Sequence, residues 1–462
     1  MSKRQWTLEY PGFTGKQIQL FCLLLIGIIE FLLFTVNPLR PQLGQFMVEQ
    51  FTIVPVLIFL GATLTQKQSR TGTLALLLGG ITVAWMVLAQ CAQALAWEGP
   101  LNLTMWWVPY LVAFPFAAVT QDADRRRGLW ILGGTAAACA AAGTLGGILL
   151  LLDALPNFLK NTIIFDGMLR LVAFSHPNIG GWMFLIGIAF TVTFGFQVKK
   201  RWLRYSLWAA AALELAVMAL TNSRTTILMT CAFIAGVVFF CIWKKGWKRF
   251  VTGLLAAVVT LVGLYAVTEQ LYQMNYAYQR SLLEDKTAVS AEIQEKERSW
   301  ASEELTLDQV GKRNSFLEDI ATFNNRTGIW KASFQALKDN PVLLVRGTTH
   351  ISRAVEAAGN PFGILHTHNA WIEMLMAFGV PGLLMALVFT VLALWCIFRI
   401  LFRPQRDMVQ VCVALLSGCM LVAGILEPFL FTSYIYCHFY PVIFFLCNGY
   451  LLLWQKKPET AQ

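Results

Sequence analysis

The chain has 462 residues, of which 57% are hydrophobic and 13% charged, and its formal net charge is +10. Soluble proteins carry about a quarter charged residues, so this composition excludes an ordinary soluble globular protein. Apolar stretches of about 20 residues, long enough to cross the hydrocarbon core of a bilayer, recur from one end of the chain to the other. The sequence therefore predicts an all-α, polytopic membrane protein.

About twelve transmembrane helices are predicted from these apolar stretches. Polar residues concentrate between the ninth and tenth spans. We therefore divide the chain into 1–267 with spans one to nine, a large loop of helical segments at 268–370, and 371–454 with the last three spans. The predicted spans lie near 17–36, 46–64, 72–95, 103–119, 129–152, 171–197, 203–220, 225–243, 250–267, 371–398, 408–427 and 431–454.

Basic residues are distributed unevenly between the two sides of the predicted membrane domain. Alternate connections, beginning with the N-terminal segment, carry more than half of the 36 Lys and Arg residues, whereas the short connections on the other side carry only Arg40, Lys160, Arg170 and Arg224. By the positive-inside rule both termini are cytoplasmic and the loop at 268–370 is extracytoplasmic. The inner leaflet accounts for the basic charge, and no nucleic-acid partner is predicted.

The ten cysteines fall in or at the edges of predicted spans, and none lies in the large loop. This distribution is typical of small buried apolar residues and does not match a disulfide framework or a zinc site. We expect no metal ion and no other cofactor.

Polar residues interrupt the apolar sequence at the start of span six, in Ser175-His176-Pro177-Asn178. Pro177 and the following glycine pair are expected to break or bend the helix near the outer interface. His176 and Asn178 then face a polar cavity. The alternative is a kinked helix start in which Asn178 serves only as a cap.

Arg224 stands alone on the outer side, between spans seven and eight. A guanidinium at the membrane interface is costly without a partner, and its fork of donors suits phosphate oxygens. Two alternatives are an arginine that reaches the lipid headgroups and an ion pair with Glu214.

Within the large loop, apolar residues at helical spacing follow Arg326 and end at Asn340-Pro341. The pattern predicts a helix with Arg326 at its start and Trp330 one turn further on. An ordinary amphipathic helix resting on the bilayer shows the same pattern.

Two of the chain's five histidines, His366 and His368, lie where the large loop meets span ten. Asn369 is well placed to cap the helix that follows, which holds His368 at the mouth of that helix. Because imidazole titrates near neutrality, a neutral His368 at this place is able to take a proton from a hydroxyl group.

In their order along the chain and in the side of the membrane predicted for them, these motifs resemble the O-antigen ligase family. The domain shared by this family also occurs in O-antigen polymerases and some protein O-oligosaccharyltransferases. A layout of twelve spans with one large outer loop before the last three also fits, and the similarity covers roughly residues 170–430. The motifs that carry it are Phe174-Ser175-His176-Pro177-Asn178, Asn222-Ser223-Arg224, Arg326-Thr327-Gly328-Ile329-Trp330, His366-Thr367-His368-Asn369 with Glu373, and Gly379 to Gly382.

The resemblance implies metal-independent transfer of a glycan, with inversion, from polyprenyl (undecaprenyl) pyrophosphate to a sugar hydroxyl at the outer face of a bacterial cytoplasmic membrane. Pyrophosphate needs positive donors more than a general acid, whereas the acceptor hydroxyl needs a base. No outward carboxylate cluster is evident beside these motifs. The expected roles are His368 as base with His366 second, and Arg224, Arg326, Asn369, His176, Asn178 and Trp330 as substrate-binding residues.

The chain departs from the family pattern after Asn340-Pro341, where members often have a glycine pair and this chain has Val342-Leu343-Leu344-Val345-Arg346-Gly347. Because one glycine is missing, the family pattern does not predict the conformation of this loop.

Three alternatives remain at this stage. A polymerase shares the donor and the chemistry and differs only in its acceptor. A transporter or flippase of lipid-linked glycans is compatible with ionisable residues in the spans, such as Glu30 and Glu214, although the sequence has no internal repeat. A non-catalytic membrane scaffold would make the paired histidines and outward arginines accidental.

Overall fold

The computed structural model describes residues 14–35, 54–66, 70–96, 110, 122–156, 163–166, 169–173, 177–243, 246–293, 326–359, 366–403, 406–431 and 439–452. These residues are almost entirely helical, which confirms the all-α prediction. One antiparallel pair of two-residue strands, β1 (Ile164–Phe165) and β2 (Leu171–Val172), is the exception within these ranges. The helices are α1 (Gly15–Thr35), α2 (Val54–Leu64), α3 (Arg70–Leu95), α4 (Asp122–Leu151), α5 (Pro177–Gln197), α6 (Arg201–Ala219), α7 (Arg224–Ile242), α8 (Trp247–Ile293), α9 (Arg326–Asp339), α10 (Leu343–Arg346), α11 (Ile351–Ala357), α12 (Ala370–Leu401), α13 (Met408–Gly424) and α14 (Phe439–Leu452).

Six of the described helices contain segments long and apolar enough to cross a membrane. Helices also lie in the described parts of the other predicted spans, apart from the span at 103–119, of which the structure describes only Tyr110. The number of twelve spans and their orientation therefore stay predictions. The six segments are Gly72–Leu95, Arg126–Leu151, Pro177–Gln197, Arg224–Ile242, Trp247–Leu282 and Ala370–Leu401.

One predicted boundary was wrong. Span six does not begin at residue 171, because β2 occupies Leu171–Val172 and α5 begins at Pro177. Proline suits the first position of a helix, where its fixed φ is helical and its missing N–H is not needed. The helix of the ninth predicted span, α8, continues beyond residue 267 to Ile293, over 47 residues or about 70 Å at 1.5 Å per residue.

The chain forms two compact units. Unit 1 comprises Met1–Leu33, Arg40–Ala136 and Thr322–Gln462, and therefore contains α9 to α14. Unit 2 comprises Phe34–Leu39 and Ala137–Ala321, and contains the strand pair and α5 to α8.

The core of unit 1 includes an aromatic cluster around Tyr110. Its hydroxyl donates to the Phe431 carbonyl at 2.8 Å, and its ring centroid lies 4.7 Å from that of Phe445 and 5.3 Å from that of Phe389. A buried tyrosine needs a hydrogen-bond acceptor for its hydroxyl, and here a backbone carbonyl supplies it. The cluster ties α12 and α14 to the loop that follows α13.

Span ten was predicted as one helix, but α12 is divided at Gly379 into segments 370–378 and 380–401. Gly379 has φ 69° and ψ −167°, a conformation that is essentially restricted to glycine. The indole N–H of Trp371 donates to the hydroxyl of Thr390 at 2.9 Å, although 19 residues of straight helix would separate them by about 28 Å. The first segment therefore folds back along the second.

The break in α12 frees backbone carbonyl groups, and a buried carbonyl without a donor is costly in an apolar environment. In unit 1 these groups receive donors from α3 and from the segment after α10. The bonds run from Thr348 N to Met376 O at 2.8 Å, from Gln93 Nε2 to Ala377 O at 2.8 Å and from Trp85 Nε1 to Phe378 O at 2.9 Å.

The segment that lacks one glycine of the family pattern forms α10 and crosses α12 at its break. A Cβ atom at Gly347 would lie 2.3 Å from the Ala377 carbonyl, and a Cβ atom at Gly379 would lie 2.5 Å from the Val345 carbonyl. The two backbones therefore meet through glycine on both sides. The glycine that this chain retains, Gly347, is the one that the crossing requires, and it also has a positive φ of 67°.

In unit 2, the polar turn before α7 packs against the first turn of α5. A Cβ atom at Gly181 would lie 2.2 Å from the hydroxyl of Thr226 and 2.7 Å from Cβ of Ser223. The Leu171 N–H donates to the Leu220 carbonyl at 2.8 Å, which joins the strand pair to the same turn. The glycine pair that follows Asn178 thus brings the N-terminal ends of α5 and α7 together.

Candidate active site

The loop that presents His368 is held by the buried side chain of Glu373. One oxygen of this carboxylate, Oε2, accepts from both the backbone N–H and the hydroxyl of Thr367, each at 2.8 Å. The Thr367 hydroxyl also lies 3.1 Å from the Asn369 carbonyl. Because all of these groups are buried, their bonds restrict the loop to one conformation.

Asn369 caps α12, as predicted. Its Oδ1 accepts from the N–H groups of Trp371 and Ile372, both at 3.0 Å, while its Nδ2 donates to the Ile425 carbonyl at 3.0 Å. The side chain therefore satisfies the start of the helix and also binds the loop after α13. In this position Asn369 supports the site by fixing two loops relative to each other.

His368 has a left-handed backbone, with φ 53°. Histidine reaches this region more readily than most residues, but the conformation still costs about 1–3 kcal/mol and persists only where neighbouring groups impose it. The bonds of Thr367 and Asn369 on either side impose it here. The imidazole is half-buried at the mouth of α12 and stands edge-on to that of His366, with ring centroids 4.2 Å apart.

Arg326 and His368 share a partner, Glu427, which the sequence reasoning missed. Arg326 Nη2 lies 2.9 Å from Glu427 Oε1, and His368 Nδ1 lies 3.7 Å from Glu427 Oε2, an ion-pair distance rather than a hydrogen bond. The Glu427 side chain is only 3% exposed. The motifs are therefore accompanied by one buried carboxylate that no motif contains.

A signal for Glu427 is present in the sequence. A lone carboxylate at the end of a long apolar stretch is costly unless it is paired, and such residues are functional candidates by default. Its partner could not be read from the chain, because Arg326 is 101 residues away.

Glu427 lies in the loop after α13, where its charge is set by opposing effects. Burial alone would raise the pKa of this carboxyl group. The neighbouring imidazole of His368 and the positive charge of Arg326 outweigh burial and hold the pKa below its ordinary value. Glu427 is therefore an anion at neutral pH, facing the guanidinium and both imidazoles.

Trp330 lies one turn after Arg326 on α9, as predicted, and its indole N–H donates to the Thr367 carbonyl at 3.0 Å. This bond joins α9 to the loop that carries His366 and His368, the histidine loop. It also places Arg326 of α9 beside Glu427. Trp330 is half-buried.

The remaining predicted site residues belong to unit 2. Arg224 is the first residue of α7 and is half-buried, and it follows Asn222, whose φ is 45°. Asn178 lies in the first turn of α5, next to the glycine pair that packs on the Arg224 turn. His176 lies outside the described residues. The structure thus groups Arg326, Trp330, His366, His368 and Asn369 in unit 1, and Asn178 with the turn of Arg224 in unit 2.

Long apolar helices together with a buried, charged cluster at a helix mouth define the chain as a helical membrane protein with a polar site. Residues 209–387 match the family model described as O-antigen ligase, which confirms over that segment the family that the motifs predicted. The matched segment, less than half of the chain, includes Arg224, Arg326 and both histidines of the loop but neither Asn178 nor Glu427. No curated protein matches the chain.

Proposed function

We propose that this protein is a membrane glycosyltransferase of the O-antigen ligase type. It transfers a glycan from a polyprenyl-pyrophosphate carrier to an acceptor hydroxyl during the assembly of cell-surface polysaccharide. The reaction takes place at the extracytoplasmic face of a bacterial cytoplasmic membrane, with both termini inside. The observation that carries the proposal is that His368, at the capped mouth of α12, lies beside the pair formed by Arg326 and Glu427.

The donor in this reaction carries its negative charge on the pyrophosphate. The guanidinium of Arg326 and, in unit 2, that of Arg224 offer paired donors that match phosphate oxygens. Arg224 is the first residue of α7, where free backbone N–H groups and the helix dipole also favour anions. Because pyrophosphate is a good leaving group, this stabilisation is sufficient and no general acid is needed.

The acceptor hydroxyl needs a base, and His368 supplies it. Nδ1 of His368 faces the Glu427 carboxylate, which favours the tautomer with the proton on Nδ1 and leaves the lone pair on Nε2. Nε2 takes the hydroxyl proton while the acceptor oxygen bonds to the anomeric carbon and the bond from that carbon to the pyrophosphate breaks. Direct attack inverts the anomeric centre, and the step uses no metal ion.

The proposal is tested with the purified protein in lipid vesicles, a polyprenyl-pyrophosphate-linked glycan and an acceptor lipid. The wild type is expected to form products larger than the donor glycan, in the presence and absence of chelator. His368→Ala should lower turnover about a hundredfold to ten-thousandfold, the usual contribution of a general base. His350→Ala is the matched control. His350 precedes α11, and its backbone N–H, which the substitution keeps, donates to the Thr348 hydroxyl.

The size of the products separates the two kinds of enzyme. A single transferred glycan supports the ligase, whereas a ladder of products supports the polymerase. Full turnover of His368→Ala, or movement of intact donor across the bilayer without any new glycosidic bond, would contradict the proposed function.

A further inference from the structure

In the reaction as proposed so far, Glu427 only favours one tautomer of His368, yet it lies beside both of the groups that the reaction uses. Its two oxygens face different partners, with Oε1 at 2.9 Å from Arg326 Nη2 and Oε2 at 3.7 Å from His368 Nδ1. The carboxylate is nearly inaccessible to solvent, so its charge is compensated mainly by these neighbours.

The charges around Glu427 come from separate elements. Arg326 approaches from α9, while His366 and His368 approach from the loop before α12. The other buried carboxylate nearby, Glu373, is bound to Thr367 through Oε2. Among the described residues, Glu427 is therefore the acidic group that lies between the guanidinium and the imidazoles.

A phosphate group on Arg326 would compete with Glu427 for the same donors. The guanidinium presents its N–H groups in a fixed fork, and two anions facing that fork repel each other in a site of low dielectric. Once Arg326 no longer pairs with Glu427, the nearest positive partner of the carboxylate would be the imidazole of His368, whose Nδ1 lies 3.7 Å away. An opposite charge at this distance favours the protonated imidazole.

We propose that Glu427 is a positioning residue that exchanges partners during the reaction. It neutralises Arg326 before the donor binds, and it stabilises the imidazolium of His368 once the donor phosphate has taken Arg326. The base thus becomes effective when the donor is in place. This inference rests on the proposed function of Arg326 and His368 at the same site.

The contact is tested without turnover, by following the imidazole signals of the isotopically labelled protein in an NMR pH titration. Glu427→Gln removes the charge and keeps the shape, so the imidazole signal of His368 should change towards that of the neutral ring. Arg326→Gln leaves the whole Glu427 charge to His368, so the titration midpoint of His368 should rise. His350 is the internal control, and its midpoint should not move in either variant.

Opposite shifts in the two variants support the exchange, because a merely structural role would move the His368 signal in the same direction or disperse it in both. If Glu427→Gln does not fold, a rise in Arg326→Gln still supports the exchange. An unchanged or lower midpoint in Arg326→Gln overturns it.

Inorganic pyrophosphate is the probe for the second half of the proposal. Glu427→Gln should bind it several-fold more tightly than the wild type, since Arg326 no longer has a competing anion, whereas glycan transfer by the same variant should slow. Tighter binding with slower transfer distinguishes a positioning residue from a residue that only holds the fold. Equal binding in wild type and variant overturns the exchange, whereas normal histidine shifts without any glycan transfer by the wild type would contradict only the proposed function.

Discussion

Glu427 lies close enough to both Arg326 and His368 to set the charge that each presents to a substrate. Because the pKa of Glu427 is held below its ordinary value, this carboxylate keeps its charge when the solution becomes mildly acidic. We therefore expect the loss of glycan transfer on acidification to follow protonation of the base, His368, and not of Glu427. The measurement is the pH–rate profile of the wild type, whose acidic limb should move to lower pH in Glu427→Gln. An acidic limb that stays in place would contradict this assignment.

Arg224 gives the second prediction at the level of single residues. Arg224→Lys keeps the positive charge but loses the planar fork, so donor use should fall about tenfold to a hundredfold, the effect of one charge-assisted hydrogen bond. The measurement is the ratio kcat/KM for the donor in the reconstituted assay.

Arg201→Lys is the matched control for Arg224→Lys, because Arg201 also begins a helix of unit 2 but is exposed. It should behave as the wild type. Unchanged donor use by Arg224→Lys would remove Arg224 from the proposed phosphate ligands.

At the level of elements, α12 is the helix that positions the site. Its first segment carries the Asn369 cap and the Glu373 carboxylate, and it folds back because Gly379 occupies a glycine conformation. The apolar stretch and the capping residue Asn369 predicted that a helix begins here, and the family motifs included the glycines at 379–382. They did not predict the reversal, because an apolar stretch of this length is equally compatible with one straight span.

Gly379→Ala is therefore expected to destabilise the protein. The backbone conformation alone costs alanine about 1–3 kcal/mol, and the new Cβ atom would also meet the Val345 carbonyl at 2.5 Å. The measurement is the midpoint of thermal unfolding in detergent, together with glycan transfer, because a shifted first segment also moves the histidine loop.

Gly263→Ala on α8 provides the comparison, since nothing lies within 4 Å of a Cβ atom at that position. Alanine in a helix interior should leave stability unchanged or raise it by about 0.5–1 kcal/mol. A Gly379→Ala protein as stable as this control would show that the break in α12 does not depend on glycine.

At the level of the whole molecule, the two units do not follow chain order. The chain begins in unit 1, forms most of unit 2 from residues 137–321, and returns to unit 1 for the segment that carries the histidines. Hydropathy alone divides the chain by position in the membrane and contains no information on which helices pack together.

The predicted orientation is tested with single cysteines and a maleimide that does not cross membranes. Lys338→Cys, at the exposed end of α9, should be labelled in intact cells, because the positive-inside rule places this segment outside. Lys200→Cys, exposed between α5 and α6, should be labelled only after the membrane is permeabilised.

The protein without either added cysteine measures the background from its own thiols, which include the exposed Cys241. Labelling of Lys200→Cys but not of Lys338→Cys in intact cells would reverse the orientation and place the histidine loop in the cytoplasm.

The sequence by itself determined the membrane class, most of the helices, the Asn369 cap and the motifs of the O-antigen ligase family. Each of these depends on residues that lie near one another in the chain, through apolar length, helical spacing or a bond across one turn. Only the tertiary structure decided that Glu427 joins Arg326 to His368 and that α12 reverses at Gly379. Both depend on packing between segments far apart in the chain, where a local pattern carries no information about the partner.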